Sequence, residues 1–400
     1  MLTKGFINSL SVFLFFIVVF FLTRQMPLAQ YSYIMNIALF LFFVLNFYFF
    51  FREIKSNVIL MYIFYVVFLF FWIGAVYSVF FRGNDIWLVI RFSVIINLIL
   101  LAYLCFPRES YIRIFLWVVG AQAVFIILFE FYMIKYYSIE NYGDLRDTVR
   151  SMGWGDVYTY NGVFWRIQLK GNALLPFAFF VSWIYLSSFK RYLISSLFLV
   201  ALILAGNFAY ILGVIVFFVI YYLVICLKSV NRFLNYIVFC FFSILFLGFP
   251  AISYVSSVIE TKSEHSNPTR IDQTDVLLGD LSENPFLGSG LGNTINVVTE
   301  YRDYTDNIYF ELQAFYFLNQ MGVFYFIFFI LLNVVLCIHF IKYSSLFAAY
   351  LGYVFYAFFN PYFLDTTHIV VILVLISLRR FFDEKSLYGF SDLQCRYRRS

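Results

Sequence analysis

Long apolar runs separated by short polar breaks dominate this chain. A helix needs about 20 apolar residues to cross the ~30 Å hydrocarbon core of a bilayer. Runs of about this length recur near residues 7–22, 31–51, 58–81, 86–106, 112–134, 172–189, 192–205, 208–227, 233–253, 323–341, 345–359 and 364–382. The pattern predicts an all-α polytopic membrane protein with about 12 transmembrane helices and two large outward-facing loops.

Two apolar stretches are too long for a single crossing, and each contains a glycine that offers a break. The run 192–227 divides at Gly206, which predicts a short helical hairpin. The run 307–341 divides at Gly322, so we expect residues 307–320 to form an interfacial or re-entrant helix. Polar residues on that helix would be costly in lipid, which predicts that they face a cavity. They are Glu311, Gln313, Asn319 and Gln320.

Basic residues in short loops and tails predict the orientation, because Lys and Arg are retained on the cytoplasmic side. With both termini in the cytoplasm, sixteen of these residues lie inside, and the short outer loops hold only Arg24 and Arg82. The chain then divides into N-terminal membrane helices (1–134), a first large outer loop (135–171), central membrane helices (172–253), a second large outer loop with short helices (254–322), and C-terminal membrane helices with a basic cytoplasmic tail (323–400).

Composition agrees with this arrangement. Hydrophobic residues make up 63% of the 400 positions and charged residues 12%, which is far from the composition of a soluble domain. The five cysteines lie in apolar runs, at their edges or in the C-terminal tail, so no disulfide framework is indicated. The net charge of +5 comes largely from the inner surface, where basic residues favour the anionic headgroups of membrane lipids. The charge therefore does not indicate nucleic acid as a partner.

The first outer loop mixes charges of both signs with aromatic residues. Its basic residues and carboxylates are nearly balanced, and aromatic residues are interleaved with them. They are Lys135, Arg146, Arg150, Arg166 and Lys170, then Glu140, Asp144, Asp147 and Asp156, and the aromatic Trp154, Tyr158, Tyr160 and Trp165. Aromatic residues with polar neighbours suit sugars, while Trp and Tyr also mark the membrane interface. Both interpretations stay open.

The second outer loop carries a helix signal in the stretch NPTRIDQTDVLLGDLSENPFLGSGLG, which runs from Asn267 to Gly292. Asn267 or Thr269 can cap a helix that stops at Asn284, because the residue before a proline disfavours the helical region. Three apolar residues are expected near one face of this helix, namely Ile271, Leu278 and Leu281. The second loop is the expected catalytic region.

Arg270 lies in the first turn of this helix, where a positive charge is mildly unfavourable for the macrodipole. An external anion or a nearby carboxylate explains the arginine better than helix stability does. After the helix, the glycine-rich turn at 288–292 lets the backbone, at Gly290 for example, approach a ligand closely or merely reverse direction. The turn is not a nucleotide fingerprint, since no strand precedes it.

The order of the sequence motifs along this part of the chain resembles that of the O-antigen polymerase and ligase superfamily. The resemblance is carried by the arginine at the helix start, by ENPFLGSGLG, and by YTDNIYFELQAFYFLNQMGV leading into a span. A second likeness is WRIQLKGNALLPFAFF, from Trp165 to Phe180, and together the matching regions cover roughly a quarter of the chain. Asp306-Asn307 stands where ligases usually have His-Asn, and Gly206-Asn207 stands where many members have Ser-Arg. The missing histidine favours a polymerase over a ligase.

The resemblance implies an integral-membrane glycosyltransferase with a GT-C-like fold. Such an enzyme moves a growing glycan from one undecaprenyl-pyrophosphate carrier to a sugar hydroxyl on another lipid-linked repeat unit, on the periplasmic side of the bacterial inner membrane. The two outer loops are then periplasmic. No metal and no other cofactor are implied. The implied partners are undecaprenyl-pyrophosphate-linked glycans, and a chain-length-determining co-polymerase is left open.

The implied reaction has two chemical tasks. Arg270 is the catalytic candidate that neutralises the charge developing on the leaving pyrophosphate. Asp306 occupies the ligase histidine position and is the first choice for the base that deprotonates the acceptor hydroxyl. Candidates for binding the pyrophosphate or the sugars come from the matching motifs and from the outer loops, namely Arg166, Arg150, Arg302, Asn307 and Gly290.

Several alternatives stay open. Each arginine is also a plausible partner for a loop carboxylate, and Glu300, Asp303 or His265 is another choice of base, as is transfer without a strong base. A ligase that hands glycan to the lipid A core remains an alternative. A lipid-linked oligosaccharide flippase would carry ionisable groups along a central path. Arg91 and Glu130 are nearly the only charges within the predicted spans, which disfavours the flippase.

Overall fold

The computed structural model describes residues 4–56, 58–138, 140–159, 165–226, 268, 270–298, 303, 305, 310 and 312–397. Its helices are α1 (Lys4–Thr23), α2 (Gln25–Leu28), α3 (Ser32–Ser56), α4 (Val58–Phe80), α5 (Ile86–Ala102), α6 (Glu109–Tyr136), α7 (Gly143–Ser151), α8 (Leu175–Tyr185), α9 (Ser188–Ala205), α10 (Phe208–Cys226), α11 (270–283), α12 (Gln313–Phe340), α13 (Ser344–Phe358) and α14 (Thr366–Tyr397). Short 3₁₀ helices cover Ala29–Tyr31 and Lys170–Leu174.

The chain is nearly all-α, as the apolar pattern predicted. Within the described residues, five helices are long and apolar enough to cross a membrane, namely Gly5–Thr23, Gln25–Phe47, Glu109–Tyr136, Ser188–Ala205 and Gln313–Val335. Shorter apolar helices cover Tyr65–Phe80, Ile86–Ala102, Phe208–Val224 and Ser344–Phe358. The predicted run 233–253 lies outside the described residues.

A small β-sheet is an exception to the all-α fold that was predicted. Part of the predicted first outer loop forms an antiparallel hairpin of β1 (Gly155–Thr159) and β2 (Trp165–Leu169). In GDVYT and WRIQL the buried Val157 and Ile167 alternate with polar neighbours, which is the period-2 pattern of a strand. The pattern is only a few residues long, so the much longer apolar runs obscured it.

The chain forms two compact units. Unit 1 contains residues 1–61, 98–215 and 365–400, and unit 2 contains residues 62–97 and 216–364.

In unit 1, α1 packs against α3 and α6, and α9 packs against α6 and α8. Helix α14 also packs against α6. Every side chain over residues 369–378 of α14 is buried, as expected for a helix segment that is apolar on all sides. This segment of α14 is therefore part of the core of unit 1.

The predicted break between α9 and α10 is confirmed. Helix α9 ends at Ala205, and Gly206 follows with φ of 62° in the left-handed region. Glycine adopts this conformation without the steric cost of a Cβ, which makes it the usual residue at this position after a helix. The Asn207 side chain accepts a hydrogen bond from the backbone N–H of Ala209 and so satisfies a donor at the start of α10.

In unit 2, α12 is broken at Gly322, as predicted, with φ of 63° and ψ of 174°. The segment 285–290 fills the break with its own backbone. Its hydrogen bonds are Ser289 N–H to the Asn319 carbonyl, Gly290 N–H to the Gln320 carbonyl, Val323 N–H to the Pro285 carbonyl and Phe324 N–H to the Phe286 carbonyl. The polar backbone groups that the break frees are therefore satisfied by protein.

The polar residues predicted on the first part of α12 are buried in unit 2. Gln313, Asn319 and Gln320 are at most 2% exposed, while Glu311 lies outside the described residues. The Asn319 side chain donates to the Leu277 carbonyl of α11. These groups are buried against other protein groups, and Gln320 also lines a small cavity.

The buried face of α11 differs from the predicted one. Leu281 is buried as expected, but Ile271 and Leu278 are exposed, and the buried face runs through Gln273 and Leu277 instead. Residues 273, 277 and 281 are each four apart and so lie on one stripe of a helix. The helix ends before Asn284-Pro285, as predicted, and the predicted caps Asn267 and Thr269 lie outside the described residues.

Candidate functional site

The β-hairpin gives Arg166 a defined position in unit 1. Its register pairs Arg166 with Tyr158 across the two strands. Because side chains alternate along a strand, Val157 and Ile167 share the apolar face, while Asp156, Tyr158 and Arg166 share the opposite face. Arg166 is nevertheless only 5% exposed, so its guanidinium group lies in a largely water-free environment.

Three arginines converge on this polar face. Arg146 and Arg150, one turn apart on α7, each bind Asp156 through two hydrogen bonds of 2.7 to 3.1 Å. Arg166 donates a hydrogen bond to the Tyr158 hydroxyl. The guanidinium groups of Arg146 and Arg166 lie 5.3 and 5.1 Å from the centre of the Tyr158 ring. We call these five residues the arginine cluster.

The charges of the arginine cluster influence one another. Burial opposes ionisation of Asp156, but the hydrogen bonds and charges of Arg146 and Arg150 outweigh it and hold the pKa of this carboxyl below its ordinary value. Burial lowers the pKa of Arg166, against the charge and hydrogen bond of Tyr158 and the charge of Asp156. An arginine remains charged at neutral pH all the same. The cluster therefore presents several fixed positive charges.

Arg150 was predicted to bind substrate, with pairing to a loop carboxylate as the alternative. The structure places both sides of its guanidinium fork on Asp156, so the pairing is present. Half of the side chain remains exposed, at 51%. Substrate binding by Arg150 stays a prediction.

A chain of hydrogen bonds supports the base of the hairpin. Arg24 donates to the side-chain oxygen of Gln122, Gln122 donates to Asn172, and Asn172 donates to the carbonyl of Ile167 on β2. Gln122 and Asn172 are each 1% exposed. A buried chain of this kind holds a unique geometry, because each member is costly to leave unpaired.

A carboxylate from α6 anchors the start of β2. The backbone N–H of Trp165 donates to Glu130 Oε1 at 2.9 Å. Glu130 is 4% exposed, and its second oxygen has no hydrogen-bond partner among the described residues. The sequence marked Glu130 as a rare charge within a span, and the structure shows that it positions the strand that carries Arg166.

In unit 2, the glycine-rich turn is held by the end of α4 and the residues that follow it. Arg82 Nε and Asn84 Nδ2 both donate to the Ser289 carbonyl, at 3.4 and 3.0 Å. Ser78 Oγ accepts the backbone N–H of Leu291 at 2.7 Å. These contacts fix the path of the turn.

Gly290 was predicted to let a ligand approach the backbone. The close approach in the structure is to protein, since a Cβ at Gly290 would lie 2.8 Å from Asn84 Nδ2 and 3.0 Å from Ser78 Oγ. Beside it, a cavity lined by Gly290, Gln320 and Tyr325 leaves about 10 Å³ for the centre of a water molecule, which is room for about one water. Packing therefore accounts for this glycine, and its contact with substrate stays a prediction.

Asp280 connects three segments of unit 2. Its Oδ2 accepts hydrogen bonds from Ser289 Oγ in the glycine-rich turn and from Asn319 Nδ2 in α12. Asn293 Nδ2 also donates to it, at 3.4 Å. Asp280 was not among the predicted site residues, and a single aspartate in an acidic loop gives no signal of this role.

Arg270 stands in the first turn of α11 and is exposed, as its predicted contact with an anion requires. One turn further, Gln273 is fully buried, and neither polar atom of its amide has a hydrogen-bond partner among the described residues. A buried amide without partners is costly, by about 1 to 3 kcal/mol for each lost hydrogen bond. Gln273 is thus a buried group on α11 with unused hydrogen-bonding capacity among the described residues.

Three predicted site residues, Arg302, Asp306 and Asn307, lie outside the described residues. Of the alternative bases, Asp303 is described. Hydrogen bonds from the Thr305 side chain and backbone lower its pKa, whereas a base that acts near neutral pH benefits from a raised pKa. This makes Asp303 a weaker choice of base.

Two arginines that the sequence used only for orientation lie beside the predicted site residues. Arg24 begins the hydrogen-bond chain below the hairpin in unit 1, and Arg82 contacts the glycine-rich turn in unit 2. Their signal in the sequence was that they stand alone on a side of the membrane predicted to hold few cations.

Among the described residues, no group of three His, Cys, Asp or Glu side chains could hold a metal ion. Comparison of the chain with protein-family models, with curated proteins and with solved structures found no match.

Proposed function

We propose that the protein is a membrane glycosyltransferase that polymerises undecaprenyl-pyrophosphate-linked oligosaccharide repeat units into O-antigen or a related surface polysaccharide. The observation that carries the proposal is the convergence of Arg146, Arg150 and Arg166 on one face of a hairpin. The resemblance of the surrounding motif, WRIQLKGNALLPFAFF, to this superfamily supports the same reading.

The arginine cluster suits a pyrophosphate. Guanidinium groups bind phosphate oxygens through paired hydrogen bonds and keep their charge at any physiological pH. A preorganised donor that stabilises developing charge on a leaving group is typically worth about 10² to 10³ in rate. Burial of Arg166 strengthens such an interaction because little water screens it. In the proposal, Arg166 binds the pyrophosphate of a lipid-linked substrate. Arg270 on α11 neutralises the negative charge that develops on the leaving pyrophosphate.

The acceptor side of the reaction is assigned to the second loop. Asp306 is proposed as the base that takes the proton from the acceptor hydroxyl, with Asn307 and Arg302 as neighbouring substrate ligands. The lowered pKa of Asp303 favours Asp306 over it. Gly290 and the glycine-rich turn are proposed to form the rim that the sugar chain contacts.

The proposal includes the finer architecture of the fold. It assigns about 12 spans in a GT-C-like arrangement, both termini in the cytoplasm, and the two large loops in the periplasm of a bacterial inner membrane. The apolar helices and the helix broken by a loop support it, since interrupted helices in membrane proteins are tolerated where they are buried in protein or line a cavity.

The test is complementation of a bacterial strain that lacks its own polymerase and makes the cognate lipid-linked repeat unit. Wild type is expected to restore a length ladder of surface polysaccharide. Arg166→Ala and Arg270→Ala are expected to leave a single capped repeat at matched protein levels. The matched control is Arg113→Ala, because Arg113 is 69% exposed and pairs with Glu109 on its own helix.

Other outcomes would replace the proposal. If glycan reaches the surface only when the protein is present and no loop variant matters, the protein moves lipid-linked oligosaccharide across the membrane. If long lipid-linked chains accumulate without the protein and attach to lipid A core with it, the protein is a ligase. A normal ladder from Arg166→Ala would remove the arginine cluster from the reaction.

A further inference from the structure

A cleft in unit 1 lies away from the arginine cluster, where α6 begins and where α14 changes from apolar to charged. Phe106, Pro107, Arg108 and Phe381 are among the residues that line it, together with Arg380. Its volume is about 210 Å³, far more than the roughly 10 to 15 Å³ that a single water needs. The proposed transferase does not use this cleft.

Arg108 contributes a positive charge to the cleft and has no ion-pair partner among the described residues. Its backbone N–H donates to Ser377 Oγ, and its guanidinium group lies 5.5 Å from the ring centre of Phe106 and 6.0 Å from that of Tyr111. The side-chain atoms Nε and Nη2 are buried and have no hydrogen-bond partner among the described residues. A buried, charged donor without a partner is costly unless an anion satisfies it.

Arg380 faces the same ring from α14, with its guanidinium carbon 4.5 Å from the centre of Phe106. It donates to the Pro107 carbonyl and to Glu384. The cleft is also lined by Glu109. The Glu109 carboxylate accepts hydrogen bonds from Arg113 and from the Tyr185 hydroxyl, and neither of these two residues is among those that line the cleft.

Each carboxylate of the cleft thus already has a cation. Lys385 adds a further positive charge close to Glu109. The balance of charges leaves the cleft attractive to an anion.

Helix α6 adds to this attraction. It begins at Glu109 with no side-chain cap, after Arg108 in an extended conformation. The first N–H groups of a helix lack partners within the helix, and together with the helix dipole they favour an anion. This observation alone would not define a site, but here the helix start lies beside two arginines and a cleft of sufficient size.

The surroundings identify the class of anion. The cleft lies at the end of a helix that is long and apolar enough to cross a membrane, and its walls include the apolar Phe106, Pro107 and Phe381. Basic pockets between membrane helices on the cytoplasmic side bind phosphate headgroups of anionic lipids, and the sequence predicts that Arg108 and Arg380 face the cytoplasm. We propose that this cleft binds the phosphodiester headgroup of an anionic phospholipid.

The test uses the full-length protein, stripped of lipid in a mild detergent and then mixed with dioleoyl phosphatidylglycerol, with dioleoyl phosphatidylcholine or with inorganic phosphate. Native mass spectrometry measures the retained lipid. Wild type is expected to retain phosphatidylglycerol in preference to phosphatidylcholine. Arg108→Gln is expected to weaken retention about fivefold and the double variant with Arg380→Gln further, because each basic residue near an anionic lipid surface contributes on the order of 1 kcal/mol.

The matched control is Lys190→Gln. Lys190 is an exposed cation that is predicted to lie on the same side of the membrane, and this variant is expected to retain lipid as wild type does.

A photoactivatable phosphatidylglycerol gives a second measurement on the wild-type protein, which does not depend on how well a variant folds. We expect cross-linked peptides from residues 106–109 and 377–384. Equal retention by wild type and the double variant, or cross-links elsewhere only, would overturn the proposal. If inorganic phosphate at millimolar concentration displaces the lipid and alone raises the unfolding temperature of wild type, the cleft is a site for soluble phosphate and the lipid assignment is wrong.

Discussion

The side chain of Arg166 lies directly against the backbone of Gly206. A Cβ added at Gly206 would come within 2.4 Å of Arg166 Nε and 2.5 Å of its Cγ. The turn between α9 and α10 therefore covers the buried arginine from one side, and it does so only because residue 206 has no side chain.

Gly206→Ala is expected to displace Arg166 and to destabilise the turn. Alanine pays roughly 1 to 2 kcal/mol for a left-handed conformation, and the contact with Arg166 adds to that. We expect a lower unfolding temperature in detergent and a shortened polysaccharide ladder. Gly143→Ala is the control, because a Cβ there has nothing within 4 Å. A normal ladder with Gly206→Ala would mean that the position of Arg166 is not critical.

Protonation of Asp156 at low pH is expected to destabilise the hairpin. The pKa of Asp156 is depressed in the folded protein. The stability that its ionised carboxylate provides is therefore fully present above the unfolded pKa of about 3.9, and this stability is lost as pH falls through the lower folded value. Unfolding temperature measured from pH 7 down to pH 3 should fall more steeply for wild type than for Asp156→Asn below about pH 4. The effect is expected to stay near 1 kcal/mol, since the pairs are partly exposed. Parallel curves for the two proteins would contradict this account.

Glu130 is expected to act through its hydrogen bond to Trp165. Glu130→Ala removes the acceptor of a buried N–H and should cost about 1.5 to 3 kcal/mol. Glu130→Gln keeps an oxygen in the same place and should be closer to wild type. Thermal unfolding of the three proteins in one detergent distinguishes the two variants. Equal loss in both would show that the charge, and not the hydrogen bond, is what matters.

Asp280→Ala is expected to release the glycine-rich turn. The change leaves the Ser289 hydroxyl and the Asn319 amide without their shared acceptor. Hydrogen exchange of the backbone amides at 288–292 should become at least about tenfold faster, which corresponds to a loss of 1.4 kcal/mol in local stability. Asp275→Ala, at an exposed position of the same helix, should leave exchange unchanged. Unchanged exchange in Asp280→Ala would show that the other contacts of the turn, with the end of α4 and the residues that follow it and with the backbone of α12, are enough to hold it.

The sequence predicted the features that depend on local pattern. Apolar runs located most of the helices, Gly206 and Gly322 marked the two breaks, and Pro285 marked the end of α11. Each of these follows from the length or backbone geometry of a few consecutive residues.

Features that depend on contacts between distant parts of the chain were not predictable. The pairing of Arg24 with Gln122, across 98 positions, leaves no local trace. The exposed position of Ile271 likewise reflects which neighbours unit 2 places around α11, since its sequence allows more than one apolar face. The hairpin had a local signal, but two five-residue strands are weak against the surrounding apolar pattern.

The place of α14 in unit 1 has a consequence for how the protein is made. Unit 1 draws on the first, middle and last parts of the chain, and the stretch 369–378 is buried within it. During synthesis, the earlier helices of this unit lack this core partner until the ribosome has translated residues 369–378. A premature stop codon just before residue 365 would thus delete an interior helix and leave a nascent chain for quality-control proteases.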